Sequence, residues 1–297
     1  MRRASGSDGY VTLAVLLTAA LLAAVVSSLV AVSRPALGLV RIGADEVAAD
    51  ALLQGGIASA AYLLFEARRG VSDVDGLSMR RATGAISVDV IDESGRIDIN
   101  AAAPELLGGL YAATGGASMT PEAFASRVVD WRDQDNDVGE DGAEAAEYED
   151  AGLPYRPTNR WFRSVEEVRL ILGLSNAEFV RLKPFITVYT GRAKIDPLTA
   201  SETVLRAIPG IGRSAIQLIL QARRQGLDRE QIVALVGEAS QFLSEVESSV
   251  YRVGVEVRLP GGFTDAVEAV IVAPQTRDGS VYRVAAWTRP AAAEQSR

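Results

Sequence analysis

No residue from Tyr10 to Ser33 carries a charge. As a helix, this run of about 24 residues spans roughly 36 Å, enough to cross a hydrocarbon core of roughly 30 Å. Asp8 bounds it on one side and Arg34-Pro35 on the other. Arg2 and Arg3 ahead of it predict a cytoplasmic N-terminus with the remaining chain across the membrane. The competing reading is a cleaved secretory signal, for which Ala31-Val32-Ser33 is a passable cleavage site. Such signals have an apolar stretch of only about 7–15 residues, so the longer run favours an anchor. Beyond it, Leu37, Val40, Ala44, Val47, Ala51, Ile57, Ala61 and Leu64 form an apolar stripe, with Arg41, Asp45, Glu46, Asp50 and Gln54 off it. The pattern predicts an amphipathic continuation of the same rod, with Pro35 at a kink and Gly38, Gly43, Gly55 and Gly56 as weak points.

Period-two alternation marks the strands. Ile86 to Ile91 alternates, Asp92-Glu93-Ser94-Gly95 reads as a turn, and Arg96 to Ile99 returns, which predicts a hairpin over 86–99. Val250–Arg258, Asp265–Val272 and Val281–Trp287 predict a three-stranded meander, with turns at Gly261-Gly262 and Arg277-Asp278-Gly279. Between these regions the pattern is helical. Asn100 to Glu105 is a cap-like helix start, and Ser164-Val165-Glu166-Glu167 reads as a capping box for a helix that Gly173 ends. A weak echo at an offset of 98 pairs Ile97-Asp98 with Ile195-Asp196, Ala102 with Ala200, Leu107 with Leu205, and Leu110 with Ile208. It is either a duplicated sheet-to-helix junction or coincidence.

Composition narrows the chemistry. The 297 residues contain neither cysteine nor histidine. That excludes disulfides, thiolate and imidazole catalysis and the usual zinc sites. The net charge of −8 argues against a general attraction to nucleic acid. Carboxylate chemistry and hard cations remain. Residues 130–150 hold ten acids against one base, Arg132. In an extended loop Asp133, Asp135 and Asp137 would lie on one side and repel, and a bound dication, calcium above all, would relieve that repulsion. An EF-hand is matched only at its first positions: Val138 stands where its glycine belongs, with Gly139 one place late and Glu144 at the twelfth position. The plain alternative is a solvated acidic loop. A second motif, Leu205 to Ile216 around Ile208-Pro209-Gly210-Ile211-Gly212, resembles the helix-hairpin-helix of DNA-binding proteins, with Arg206, Arg213, Arg223 and Arg224 nearby. Its plain alternative is a tight helix–helix turn in which the two glycines permit close packing.

Several of these strings carry a family resemblance. Ser7-Asp8-Gly9-Tyr10-Val11-Thr12-Leu13 resembles a prepilin-type leader, and Asp130-Trp131-x-Asp133-x-Asp135, Gly142-Ala143-Glu144 to Tyr148, Pro154-Tyr155-x-Pro157-x-Asn159 and Ser164 to Leu170 together resemble the type II secretion minor pseudopilin K family. Pilin-like chains usually carry Glu at the fifth mature position; here it is Ala14, and this family is the known exception. A fibre-capping subunit has no neighbour above it to pair such a buried carboxylate.

The resemblance implies an α+β, type IV pilin-like fold with a long N-terminal spine helix, an antiparallel sheet and a large inserted α-helical domain. The expected division is a leader over 1–9, cleaved between Gly9 and Tyr10, and a membrane segment over 10–33. The soluble spine follows over 34–70 and the first part of the pilin-like domain over 71–100. The insert with its acidic loop occupies 101–194, a helical segment with the Gly turn 195–245, the C-terminal sheet 246–290 and a tail 291–297. It also implies structural calcium, with Asp133, Asp135 and Glu144 as the first ligand candidates and Asp137, Glu147 and Asn159 as further ones. The implied role is non-enzymatic: a tip-capping subunit of the secretion pseudopilus, single-pass in the inner membrane with its soluble part in the periplasm. Its implied partners are other minor pseudopilins along the spine, the inner-membrane assembly platform, prepilin peptidase, and secreted substrates or the outer-membrane channel, but no nucleic acid. The alternatives are a membrane-anchored helix-hairpin-helix DNA-binding protein, which salt-dependent DNA binding would reveal, and a magnesium-dependent hydrolase, for which no nucleophile is evident.

Overall fold

The computed structural model describes residues 8–274 and 280–290. One helix, α1 (Asp8–Ala61), runs through Pro35 and ends in a wide π-type turn over Tyr62–Glu66. The short α2 (Val71–Val74), β1 (Leu77–Arg81) and β2 (Gly84–Asp92) follow, then a 3-10 turn at Glu93–Gly95 and β3 (Ile97–Asp98). A helical region comprises α3 (Pro104–Ala113), α4 (Pro121–Arg132), α5 (Ala145–Asp150), α6 (Asn176–Leu182), the short β4 (Ile186–Thr187), α7 (Glu202–Arg206), α8 (Arg213–Arg224) and α9 (Arg229–Ala234). The chain closes with β5 (Val250–Arg258), β6 (Thr264–Val272) and β7 (Arg283–Thr288). The expected turn at 277–279, the tail after residue 290 and most of the leader lie outside the described residues.

The two halves of α1 meet different surroundings. From Tyr10 to Val26 its large apolar side chains are exposed, Tyr10 at 78% and Leu16 at 69%. From Ala49 onward the helix buries Ala49, Leu53, Ile57, Ala60, Ala61 and Leu64 against the sheet, together with Val88, Val253, Val255 and Ile271. Each fully buried Leu, Ile or Val contributes about 1.5–3 kcal/mol, so tertiary packing fixes this half. The stripe read from sequence is right at Ile57, Ala61 and Leu64, but Val47 is 71% exposed and Ala44 and Ala51 also face outward. The buried row is phased by contact with β2, β5 and β6 rather than by the apolar residues nearest the membrane. Gly56, expected to be a weak point, is where helix and sheet come closest: a Cβ there would lie 2.6 Å from a Val255 methyl.

The sheet has five antiparallel strands in the order β1-β2-β5-β6-β7. The predicted C-terminal meander is present within it, and β2 pairs with β5 from Ala85↔Arg258 to Asp92↔Tyr251. The hairpin predicted over 86–99 does not form. β2 turns back on β1 instead, and Ile97-Asp98 leaves the sheet to pair in parallel with Ile186-Thr187. The 3-10 turn explains the break: Asp92 accepts the Ser94 N–H at 2.9 Å, and the chain leaves at Arg96 in extended conformation.

A second core, from Ile97 to Leu243, belongs to the helical region. Within it the echo at offset 98 is matched bond for bond. Asp98 accepts the Asn100 N–H at 2.9 Å, and Asp196 accepts the Leu198 N–H at 2.7 Å. Arg132 at the end of α4 donates to the carbonyls of Ile99 and Ala102. Arg223 near the end of α8 donates to those of Pro197 and Ala200, the same two positions 98 residues on. β3 pairs in parallel with β4, and Ile195 bridges in parallel to Leu243. The helical region therefore repeats one junction: an extended segment, an aspartate-stabilised turn at Asp98 or Asp196, and a following helix pair whose second helix returns an arginine to the turn's carbonyls. The copies meet where α3 packs on α7.

Glu178 on α6 fastens the first repeat. One carboxylate oxygen accepts from the Ala117 and Ser118 N–H groups at 2.7 and 2.8 Å and from the Tyr111 hydroxyl at 2.8 Å; the other accepts from the Ser175 N–H and hydroxyl. Burial pushes this carboxyl up, but the hydrogen bonds outweigh it and hold it well below the ordinary carboxylate range.

Candidate functional site

The acidic loop hangs from α4. Phe124, Val128 and Trp131 point that helix's apolar face into the core, and Asp130 is carried inward with them, 2% exposed. Its Oδ2 accepts the Ala143 N–H at 2.8 Å and the Gly139 N–H at 3.3 Å, closing the loop onto the helix. The fit requires glycine, because a Cβ on Gly142 would lie 2.0 Å from that same oxygen and one on Gly139 2.5 Å from Ser126 Oγ. Burial raises the Asp130 pKa above the usual aspartate value. Asp130 was not among the candidates read from sequence; the glycine pair at 139 and 142 was the available signal.

Of the proposed ligands, Asp133, Asp135 and Glu144 share one electrostatic neighbourhood with Asp130. Glu144 is 3% exposed, and both its oxygens are buried without a well-formed hydrogen bond, as is Asp133 Oδ1. Burial first, then the charges of Asp130, Asp133 and Asp135, push the Glu144 carboxyl up to about 7. Burial and Asp135 raise Asp133 in the same way. Asp135 and Asp137 are exposed, and Asp135 Oδ1 accepts the Asp137 N–H at 3.0 Å. Glu147 accepts the Glu144 N–H at 2.8 Å, a local bond at the start of α5. Asn159, held at φ +48°, donates its side-chain amide to the Asp135 carbonyl and to Asn136 Oδ1. It therefore clamps the loop from outside.

These residues do not converge on one point. Asp130, Asp133, Asp135 and Asp137 line a groove of about 490 Å³ between α3 and α4, while Glu144 and Asn159 line a separate cavity of about 260 Å³. Among the described residues no three acidic side chains form a ready metal cage. The donor set nevertheless fits a hard cation on one observation: three buried carboxylate oxygens, Asp133 Oδ1 and both of Glu144, make no well-formed hydrogen bond and sit among like charges, an arrangement that a dication would relieve.

The other motifs resolve differently from expectation. Ser164 precedes a 3-10 turn over Val165–Leu170 without a side-chain cap bond, and Glu167 instead accepts the Arg163 N–H at 3.1 Å. Glu166 pairs with Lys183 at 2.8 Å. The Gly210–Gly212 turn does join two helices, yet neither glycine has a close neighbour across the turn. Gly210 is needed for its φ of +71°, and Gly212 starts α8. Of the four nearby arginines, Arg223 is spent on the Pro197 and Ala200 carbonyls and Arg206 bonds Thr203. Gly9 and Tyr10 fall in the first turn of α1.

The spine, sheet and helical insert now stand together with the acidic loop. Residues 84–191 match the family model described as type II secretion system protein K. The type II secretion system protein K of Pseudomonas aeruginosa is 31% identical over 182 residues, covering 58% of this chain and 54% of that protein. Over these residues the chain is similar to protein K of type II secretion. The protein K of Aeromonas hydrophila is 40% identical over 60 residues, 20% of this chain and 18% of that protein. The matches thus span about half the length of the first relative and under a fifth of the second. Among solved structures, a chain of the GspK-GspI-GspJ complex of the enterotoxigenic Escherichia coli type 2 secretion system superposes with a TM-score of 0.65 at 16% identity, covering 84% of this chain and 99% of that one. At that identity the likeness shows the α+β fold alone.

Proposed function

We propose that this chain is a K-family structural subunit that caps the tip of the type II secretion pseudopilus and initiates its assembly with other minor pseudopilins for export across the outer membrane. The observation carrying the proposal is α1 itself: one helix whose first half exposes every large apolar side chain from Tyr10 to Val26 and whose second half is packed under a sheet. Such a helix requires a bilayer at one end and offers an exposed face, including Val47 and Tyr62, to parallel helices above it. The K-like neighbour's complex with GspI and GspJ supports minor pseudopilins as partners. In this reading the anchor is single-pass in the inner membrane, the soluble part is periplasmic, and prepilin peptidase cuts between Gly9 and Tyr10. The inner-membrane assembly platform holds the spine, and the insert meets secreted substrates or the outer-membrane channel. The test is complementation of a type II secretion strain lacking its own protein K. The full chain should restore extracellular enzyme, and Leu16→Asp with Leu21→Asp should abolish it; restoration by that variant would overturn the reading.

Calcium is the proposed staple of the acidic loop. Asp133, Asp135 and Glu144 would hold it, with Asp137, Glu147 and Asn159 supporting the loop around it. Its chemistry there is charge neutralisation. Calcium at about a hundredfold excess over its Kd should raise the unfolding temperature of the full chain in detergent by about 5–10 °C. Magnesium at the same concentration should do far less. In Asp133→Asn with Glu144→Gln the calcium response should vanish while the metal-free protein becomes more stable, because two buried like charges are gone. An unchanged calcium response in that variant would place the ion elsewhere.

A further inference from the structure

The segment after the acidic loop builds a second, oppositely charged feature. Pro157 and Phe162 are buried, Phe162 stacks on Trp131 at 5.9 Å, and Asn100 clamps the Phe162 backbone by accepting its N–H at 2.8 Å and donating to its carbonyl at 2.9 Å. Between these anchors Trp161 is turned outward and is 73% exposed, the most exposed tryptophan or phenylalanine among the described residues. It lines a groove of about 570 Å³ together with Arg156, Arg160, Arg163 and Glu167, and Trp131 also lines it. The three arginines are exposed and form no ion pair among the described residues. Glu167 is occupied by the Arg163 backbone N–H. The Trp131 indole N–H is buried without an acceptor.

Three unpaired guanidinium groups around a presented indole are unusual on a chain of net charge −8. Arginine and tryptophan are the side chains that most often dominate binding interfaces. A rigidly held backbone means that little ordering cost falls on this side of the contact. The groove's charge selects carboxylates, its indole face selects apolar or proline side chains, and its open length suits an extended chain. We propose that this groove docks an acidic, extended peptide segment of a partner protein, with Arg156, Arg160 and Arg163 binding its carboxylates and Trp161 packing on the residues between them. The groove adjoins the acidic loop, since Arg156, Pro157 and Thr158 also line the cavity beside Glu144 and Asn159, whereas Arg160, Trp161 and Arg163 line the groove alone.

The test uses the full chain in non-ionic detergent and a fluorescein-labelled soluble peptide of repeated Glu-Pro-Glu-Leu, with the corresponding Lys-Pro-Lys-Leu peptide as control. Anisotropy should report saturable binding of the acidic peptide, weakened by salt, and none of the basic one. Arg160→Gln with Arg163→Gln, and separately Trp161→Ala, should each weaken binding by about tenfold or more. Arg283→Gln on β7 should leave it unchanged. Circular dichroism checks that these surface variants remain folded. Equal binding of both peptides, or full binding by Trp161→Ala, would overturn the proposal. Self-association of the chain that the double arginine variant abolishes would likewise overturn it, by assigning the groove to a second copy.

Discussion

Arg252→Met is expected to destabilise the folded chain by about 3–5 kcal/mol, because it strips most of the compensation from a carboxylate with no access to water. Glu93 is 0% exposed, and its Oε1 accepts from Arg252 Nε at 2.7 Å and Arg96 Nη1 at 3.1 Å, while its other oxygen accepts from the Thr187 hydroxyl. Arg252 also bonds Glu268 on β6. Burial disfavours the guanidinium charge, but Glu93 and Glu268 outweigh that and keep it charged at every working pH. The network joins β5 and β6 of the sheet to β4 of the helical region, so it is the bolt between the two cores. Loss of the bolt should appear first as faster proteolysis near residues 93–96 and 244–249, with the helical core still protected. Denaturant titration gives the magnitude. Arg252→Lys should recover only part of it, since a single ammonium cannot reach both carboxylates with the fork geometry of arginine. Glu93→Gln in the Arg252→Met background should cost far less than either change alone, because the buried charge is then gone. A loss below about 1 kcal/mol for Arg252→Met would mean that Arg96 and Thr187 already satisfy Glu93.

That bolt was illegible in the sequence for a physical reason. Asp92-Glu93-Ser94-Gly95 has the composition of a surface turn, and the strand after it has the right alternation to fold back on β2. Nothing local shows that Glu93 faces an arginine 159 residues away, or that Ile97-Asp98 finds its partner at Ile186-Thr187. The C-terminal strands were legible because their pairing is sequential and one face is buried, so period two is enough. The exposed first half of α1 was equally legible from composition alone. The phase of its second half was not, because Val47 is a large apolar residue like Leu53 and only the sheet decides which of them is covered. At the acidic loop, spacing singled out Asp133, Asp135 and Asp137 and the family resemblance added Glu144; of these Asp133, Asp135 and Glu144 share a field. Neither could single out Asp130, whose inward direction follows from its place beside Trp131 on a packed helix. The offset-98 echo was visible as four matched positions. Its decisive feature, an arginine donating to two carbonyls in each copy, lies 91 residues apart and so falls outside the echo's own register.

Gly109→Val is the second large effect, and it separates two roles that glycines play in this fold. A Cβ at Gly109 would sit 2.0 Å from the Ala207 carbonyl oxygen and 2.9 Å from its carbon. These are backbone atoms of the second repeat, so no rotamer change can relieve the clash, and α3 must move off α7. Overpacking of this kind costs about 1–3 kcal/mol where side chains can yield, and backbone contact places Gly109→Val at or above the upper end. Gly109→Ala should already cost most of that. Gly210→Ala meets no atom within 4 Å and pays only for its φ of +71°, about 1–2 kcal/mol. Gly212→Ala, at φ −81°, should be close to neutral, and Gly212→Ser neutral or slightly stabilising as a cap for α8. The sequence reading placed close packing at Gly210 and Gly212; the structure moves it to Gly109, at the seam between the two repeats. Urea unfolding of the four variants in the full chain should therefore rank Gly109→Val worst, then Gly109→Ala, Gly210→Ala and Gly212→Ala. If Gly210→Ala proved worse than Gly109→Ala, the tight contact would belong to the Gly turn and the seam between α3 and α7 would have to be looser than its geometry requires.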